Sequence, residues 1–270
     1  MRRTLLRILR ATHLIQFADR TLALRAVSKQ ARANDAYRAT HPERVFPDPA
    51  LVFETIGEAS LEVFDTGGAI IARLIADHLL QTGLPRAPRI LDWGAGAGRL
   101  LVQLPALLNA PDARYFGCDP NPRAVAHVKR ALPFVDMRRS DPAPPAPFDA
   151  ASFDAITGIS IFTHFSESAA KAWAAELSRL LSDDGAAIVS SHGALAAARL
   201  PAEQRAAFDA NRYVELGGAP EGSRTYVSYF SEAAGRALFE PHFADVAFHP
   251  SGPVFNQDIW VLRRPRRPAA

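Results

Sequence analysis

The sequence predicts an α/β fold: a doubly wound, mostly parallel sheet of seven strands with an antiparallel closing strand. Short apolar runs alternate with amphipathic helical stretches from Arg89 to His192. The first run ends in an acid and three glycines at every second position, "RILDWGAGAGRLL". Two further strand-like runs, "ADVAFHP" and "QDIWVLR", follow the last helix. Strand–helix alternation implies parallel strands covered on both faces. The final two runs, with no helix between them, read as an antiparallel pair.

From Arg3 to about Ala33 the pattern is helical, with Leu5, Leu6, Leu9, Ile15, Leu22 and Val27 roughly three and four residues apart. "THPERVFPDP" is a loop because three of its ten residues are proline. "ALVFETIGEASLEVF" reads as helix up to a break at Asp65–Gly68, and "AIIARLIADHLLQTG" as a second helix closed by Gly83. "RILDW" is a buried strand, and the helix "RLLVQLPALL" comes after the glycines, with Pro105 kinking it or ending it early. Strand Ala113–Asp119, helix "NPRAVAHVKRAL" with an early proline, strand "FVDMRRSD" and a proline-rich loop come next. Then come strand Phe153–Ser160, a helix with Ser166 as N-cap, and strand Ala186–His192. Gly193 to about Tyr229 breaks the rhythm with one helix, "ALAAARLPAEQRAAFDA", and the polar stretch "GGAPEGS". The expected organisation is a helical arm or lid (1–83), a core (84–192), a helical insertion capping the acceptor (193–230), and the closing helix and strands (231–270).

A chain of 270 residues, 48% of them hydrophobic, can bury a core without staples. Cys118 is its one cysteine, which excludes an intrachain disulfide and suits a reducing compartment. No apolar run reaches the length of a membrane span, and Arg7 and Arg10 interrupt the N-terminal apolar stretch that a secretory signal needs unbroken. A cytoplasmic protein is expected. The net charge of +3 is small but uneven: residues 1–33 hold eight Arg or Lys against Asp19 alone, and "RRPRRP" adds four arginines. The basic helix could meet anionic lipid, nucleic acid or a partner subunit, a homodimer included. A solvated basic face on a packed helix is the preferred reading, since no nucleic-acid module accompanies it.

A strand, a glycine turn and a helix N-terminus make a ligand platform: glycine admits positive φ and close approach, and the helix start offers free N–H groups. The dinucleotide fingerprint G-x-G-x-x-G is not matched, because Arg99 stands where its third glycine belongs. "DWGAGAG" instead resembles motif I of the class I methyltransferases that use S-adenosylmethionine (SAM), a Rossmann-like family. "YFGCDPNPRAV" resembles their second motif, "SFDAITGISIFTHFSE" the fourth-strand motif, and "ELSRLLSDDGAAIVSSHG" the helix and fifth strand after it. The resemblance spans about Arg89 to Gly193. "SIFTHFSE", "SSHG" and "NQDIWVLRRP" further resemble a bacterial branch linked to glycan or secondary-metabolite modification.

The resemblance implies SAM as cofactor. It implies that Asp92, Gly94, Gly96 and Gly98 form its loop. It also implies that Asp119, followed by Pro120, holds the ribose hydroxyls, that Asp141 meets the adenine amino group, and that Ile159 and Ser160 pass the methionine. Plainer roles stand beside these: Asp119 as a helix N-cap, Asp141 as a turn aspartate before proline. His164 and His192 each follow a strand end, where open α/β sheets bind ligands. Either could be a general base or a hydrogen-bonded structural histidine, and His192 is preferred as the one facing the acceptor. Phe162, Phe165, Tyr213, Tyr226 and Tyr229 read as pocket lining or core. No metal-ligand cluster is evident, and none is expected in the site. The expected function is methyl transfer to a small-molecule or glycan acceptor, by O-methylation with a histidine base. A non-catalytic SAM-binding scaffold and a dinucleotide-dependent oxidoreductase are the alternatives.

Overall fold

The computed structural model describes residues 9–267. The onset of the N-terminal helix expected from Arg3, and the last residues of the basic tail, lie outside them. Helices α1 (Ile15–Thr40), α2 (Pro49–Ile56) and α3 (Leu61–Gln81) precede β1 (Arg89–Trp93), α4 (Leu104–Leu108), β2 (Arg114–Asp119), α5 (Pro122–Ala131) and β3 (Val135–Arg139). Then come β4 (Phe153–Gly158), a 3-10 turn at Phe162–His164, α6 (Glu167–Leu180) and β5 (Leu181–Ser191). The segment after β5 carries α7 (Ala194–Ala197), α8 (Ala202–Asp209), β6 (Val214–Leu216) and β7 (Val227–Tyr229). The chain closes with α9 (Glu232–Phe239), β8 (Phe243–His249) and β9 (Asp258–Pro265).

Among the described residues the main sheet has seven strands in the order β3-β2-β1-β4-β5-β9-β8. Strands β1 to β5 run parallel, and β9 pairs antiparallel with both β5 and β8. This is the expected fold. Side chains alternate across a strand, so neighbours face opposite layers. Leu91, Phe116, Ile156, Val189 and Leu262 enter the core beneath α6 and α9. Ile90, Tyr115, Ala155, Ile188 and Val261 enter the core beneath α3 and α5. Continuous apolar runs such as "AAIV" result from burial on both faces.

Several boundaries differ from expectation, each for a local reason. The helix break lies at Gly57, not at Asp65–Gly68. Gly57 closes α2 in the left-handed conformation, and the Ser60 side chain accepts from Val63 N to start α3, which continues through both glycines. The N-terminal helix is interrupted at His13 (φ 57°), then runs beyond Ala33 to Thr40. There the buried Asn34 ties it to the body, donating to Ala59 O and accepting from Leu61 N. After the glycines, turns fill the chain to Gln103, and α4 begins with Pro105 in its first turn, where a missing N–H costs nothing. β5 starts five residues earlier than expected, because Leu181 already pairs with Phe153 across an irregularity in β4. The single helix expected at 194–210 is two helices with Pro201 at the N-cap of the second, and the β6–β7 pair comes after it.

Two helical glycines test this packing. A Cβ on Gly67 would meet nothing within 4 Å, whereas one on Gly235 would lie 2.3 Å from the buried Trp260 ring. Gly67→Ala should raise stability by about 0.4–1 kcal/mol. Gly235→Ala should lower it by about 1–3 kcal/mol through overpacking, and thermal and urea unfolding read both.

Candidate active site

The carboxyl ends of β1, β2, β3 and β4 meet at one cavity of about 570 Å3, within the range of small-molecule sites. Its floor is the loop after β1. Gly94, Gly96 and Gly98 all have positive φ, at 69°, 52° and 78°, a conformation that side chains resist. That requirement is why the sequence places glycine at alternate positions. Gly94 N and Ala95 N donate to Cys118 O at 2.9 and 3.1 Å, pinning the loop to β2.

The Asp119 carboxylate completes the pin. Oδ2 accepts from Gly96 N and Oδ1 from Asn121 N, both at 2.8 Å. Each oxygen keeps capacity for another donor. Burial raises the pKa of Asp119, and the two backbone donors oppose the rise. The N-cap of α5 is Asn121, whose side chain accepts from Arg123 N, so Asp119 is not that cap.

Asp92 ends buried beside β4. It pairs in register with Thr157, whose hydroxyl donates to Asp92 Oδ1 at 2.7 Å. Burial pushes its carboxyl up to about 7, while the Thr157 hydroxyl and the Arg99 guanidinium pull it back. Arg99 lines the same cavity without an ion pair or hydrogen bond among the described residues, and burial lowers its pKa against the charge of Asp92. The site thus sets an acceptor and a fork of donors near each other. Neither residue beside Asp92 was expected from sequence: Arg99 directly follows the third glycine, and the nearness of Thr157 is revealed only by strand register.

After β4, Ile159, Ser160 and Ile161 form the next wall. Ser160 adopts φ 65° and is fixed by Ser190 and Gln257: Ser160 N donates to Ser190 Oγ, and Gln257 Nε2 donates to Ser160 Oγ, each at 2.8 Å. Pro120 and the exposed Asp141 also line the cavity. Gly98 does not; it packs toward Val128 and Leu132 of the helix layer.

The two histidines differ in placement. His164 lines the cavity; His192 is not among its lining residues and stacks on Tyr229. Each ring bonds a backbone carbonyl through Nδ1, His164 to Tyr226 O at 2.7 Å and His192 to Ser228 O at 3.2 Å. A carbonyl only accepts, so Nδ1 carries the proton and Nε2 keeps its lone pair. Burial lowers both pKa values, that of His192 to about 4. Of the aromatics, Phe165 reaches the cavity, whereas Phe162 is core and Tyr213 and Tyr226 brace loops by hydrogen bonds.

A roof closes over this floor. Gln16, Asp19 and Arg20 of α1, Leu51, Glu54 and Thr55 of α2, and Glu221–Thr225 between β6 and β7 line it. Arg10 donates to the carbonyls of Leu216, Gly217 and Thr225. Arg224 pairs with Asp19 and lies 4.7 Å over the Phe53 ring.

Residues 90–185 match a family model described as a methyltransferase domain. That stretch, little more than a third of the chain, is similar to a methyltransferase domain. S-adenosylmethionine is the cofactor of such a domain, and the residues present fit it: a buried carboxylate and an unpaired guanidinium suit an amino-acid zwitterion, and Asp119 suits a diol. Methyltransferase str2 of Strobilurus tenacellus is 32% identical over 106 residues, covering 39% of this chain and 36% of that one. The chain thus spans little more than a third of that relative's length. A candidate O-methyltransferase of Nostoc punctiforme PCC 73102 superposes with a TM-score of 0.57 at 17% identity, over 79% of this chain and 60% of that chain. DesVI of Streptomyces venezuelae gives 0.53 at 15% identity, over 73% and 92%. At these identities the structural likenesses speak to the fold alone.

The charge state of Asp92 can be read directly. A carbon-13 carboxyl titration of the free protein should show its midpoint near 7, and Thr157→Val, which removes the donor to the charged form, should move that midpoint higher.

Proposed function

We propose that the protein transfers a methyl group from SAM to a hydroxyl oxygen of a small-molecule or saccharide acceptor, with His164 as the general base. The observation that carries this reading is the tautomer of His164. Its Nδ1–H is committed to Tyr226 O, which leaves Nε2 as the ring's basic atom in a residue that lines the cavity. An amine or carboxylate acceptor would need little help with its proton, whereas an alcohol needs a base as its bond to carbon forms. A neutral buried imidazole suits that task. His192, the residue favoured from sequence, takes a supporting place in this reading: it stacks on Tyr229 outside the cavity lining, and burial and the nearby His164 disfavour charge on its own ring.

Bound SAM supplies an electrophilic methyl on a sulfonium sulfur. In this reading the chain holds it at three places. Asp92 accepts from the ammonium of the methionine, and Arg99 donates to its carboxylate. Asp119 would offer the free capacity of both oxygens to the ribose hydroxyls, with Pro120, Gly94 and Gly96 lining that part of the cavity and Gly98 supporting the turn. Asp141 takes the adenine amino group. Ile159 and Ser160 border the methionine, and the Ser190–Gln257 pair keeps that wall in place. The roof excludes water and positions the acceptor hydroxyl, whose proton passes to His164 Nε2. Such positioning is worth up to about 7–11 kcal/mol in the best intramolecular cases.

Asp92 links binding to pH. Its free-state pKa is raised to about 7, so below that value the carboxyl must lose a proton to accept an ammonium. Calorimetry of S-adenosylhomocysteine should show proton release at pH 6 and almost none at pH 8. Affinity should fall by about tenfold per unit below the midpoint. For the base, methyl transfer to a panel of phenols and sugars should fall by about 10²–10⁴ in His164→Ala, with S-adenosylhomocysteine binding unchanged. Because burial lowers the His164 pKa, the acid limb of the wild-type rate measured at saturating SAM, where the Asp92 effect on affinity is overcome, should lie below the ordinary imidazole range and vanish in the variant. Intact turnover in the variant would overturn histidine base catalysis.

A further inference from the structure

We propose that the outer face of α1 docks on an anionic lipid bilayer. Leu14, at the helix start, and Phe17 and Leu24 within it lie on the side opposite the buried Ile15 and Asn34. Phe17 and Leu24 are 72% and 74% exposed, the two most exposed large apolar side chains among the described residues. Thr21 and Ser28 fall between and beyond them at helical spacing, so the stripe is interrupted only by small polar groups. Arg20 flanks one side of it, and Arg25, Lys29 and Arg32 flank the other, all exposed.

Charge accounting decides the occupant. The acids of this helix are already spent: Asp19 pairs with Arg224 and Asp35 with Arg38. Arg20, Arg25, Lys29 and Arg32 have no ion pair or hydrogen bond among the described residues. A second copy packed about a two-fold axis on this face would set these cations against their own counterparts. A nucleic acid would satisfy the cations but leave Phe17 and Leu24 without apolar cover. An anionic bilayer satisfies both, because apolar side chains enter the acyl boundary while guanidinium and ammonium groups stay among headgroup phosphates. No helix among the described residues is long and apolar enough to cross a membrane, so the contact is one of lying on the surface. The same helix lines the cavity with Gln16, Asp19 and Arg20. Docking therefore sets the rim of the cavity at the lipid–water boundary.

Sedimentation of the full chain with vesicles of phosphatidylcholine, alone or mixed with phosphatidylglycerol, tests this. The expected result is binding to the mixed vesicles only, weakened by salt. Phe17→Glu/Leu24→Glu and Arg25→Glu/Lys29→Glu/Arg32→Glu should each reduce it by about tenfold or more. Melting temperature and S-adenosylhomocysteine binding should be unchanged in both variants. In Phe17→Trp, which keeps the apolar stripe, tryptophan emission should shift to the blue on mixed vesicles, against a background from the buried Trp93, Trp173 and Trp260. Equal binding to both vesicle types, no binding, or no shift in Phe17→Trp would overturn the proposal. So would tighter binding to duplex DNA, or a wild-type dimer that Phe17→Glu/Leu24→Glu dissociates.

Discussion

The site depends on one carboxylate. Asp119 receives the N–H of Gly96 from one loop and the N–H of Asn121 from the next, and so joins the ends of β1 and β2. A loop of three glycines in the left-handed conformation has little to hold it by itself, since glycine gains no packing and loses the most entropy on ordering. The Asp119 bridge and the two bonds to Cys118 O replace what side chains would otherwise supply. The cost is a carboxylate buried at the base of the cavity, offset by two charge-assisted hydrogen bonds. The residue that stiffens the turn is thus also the one with remaining acceptor capacity toward a ligand.

Legibility in the sequence tracks the physics of each signal. Parallel strands buried on both faces are continuous apolar runs, and a strand-end acid beside a glycine turn is local in sequence, so the core order and the floor were legible. The helix boundaries at Gly57 and through Gly67–Gly68 were not, because both places offer glycine and only the Ser60 cap and the packing of α3 choose between them. Thr157 and Arg99 were missed for a different reason. Their meaning lies in nearness to Asp92 across strands, and register is a property of the sheet. The β6–β7 pair escaped because three-residue strands barely register as a periodicity.

The histidines show how placement separates residues that sequence treats alike. Both follow strand ends, both bond a carbonyl through Nδ1, and both are neutralised by burial. One borders the cavity and the other stands behind it against Tyr229. The distinction comes from where the segment after β5 folds back, which no local pattern encodes.

Arg10 has a consequence for the wall of the cavity. Its guanidinium holds three carbonyls of the β6–β7 segment, and Asp19 holds Arg224 from the same segment. Two stretches some two hundred residues apart in the chain are therefore fastened to each other. Neither stretch can swing aside without breaking these shared contacts, so the part of the cavity wall that each contributes is held in place by the other.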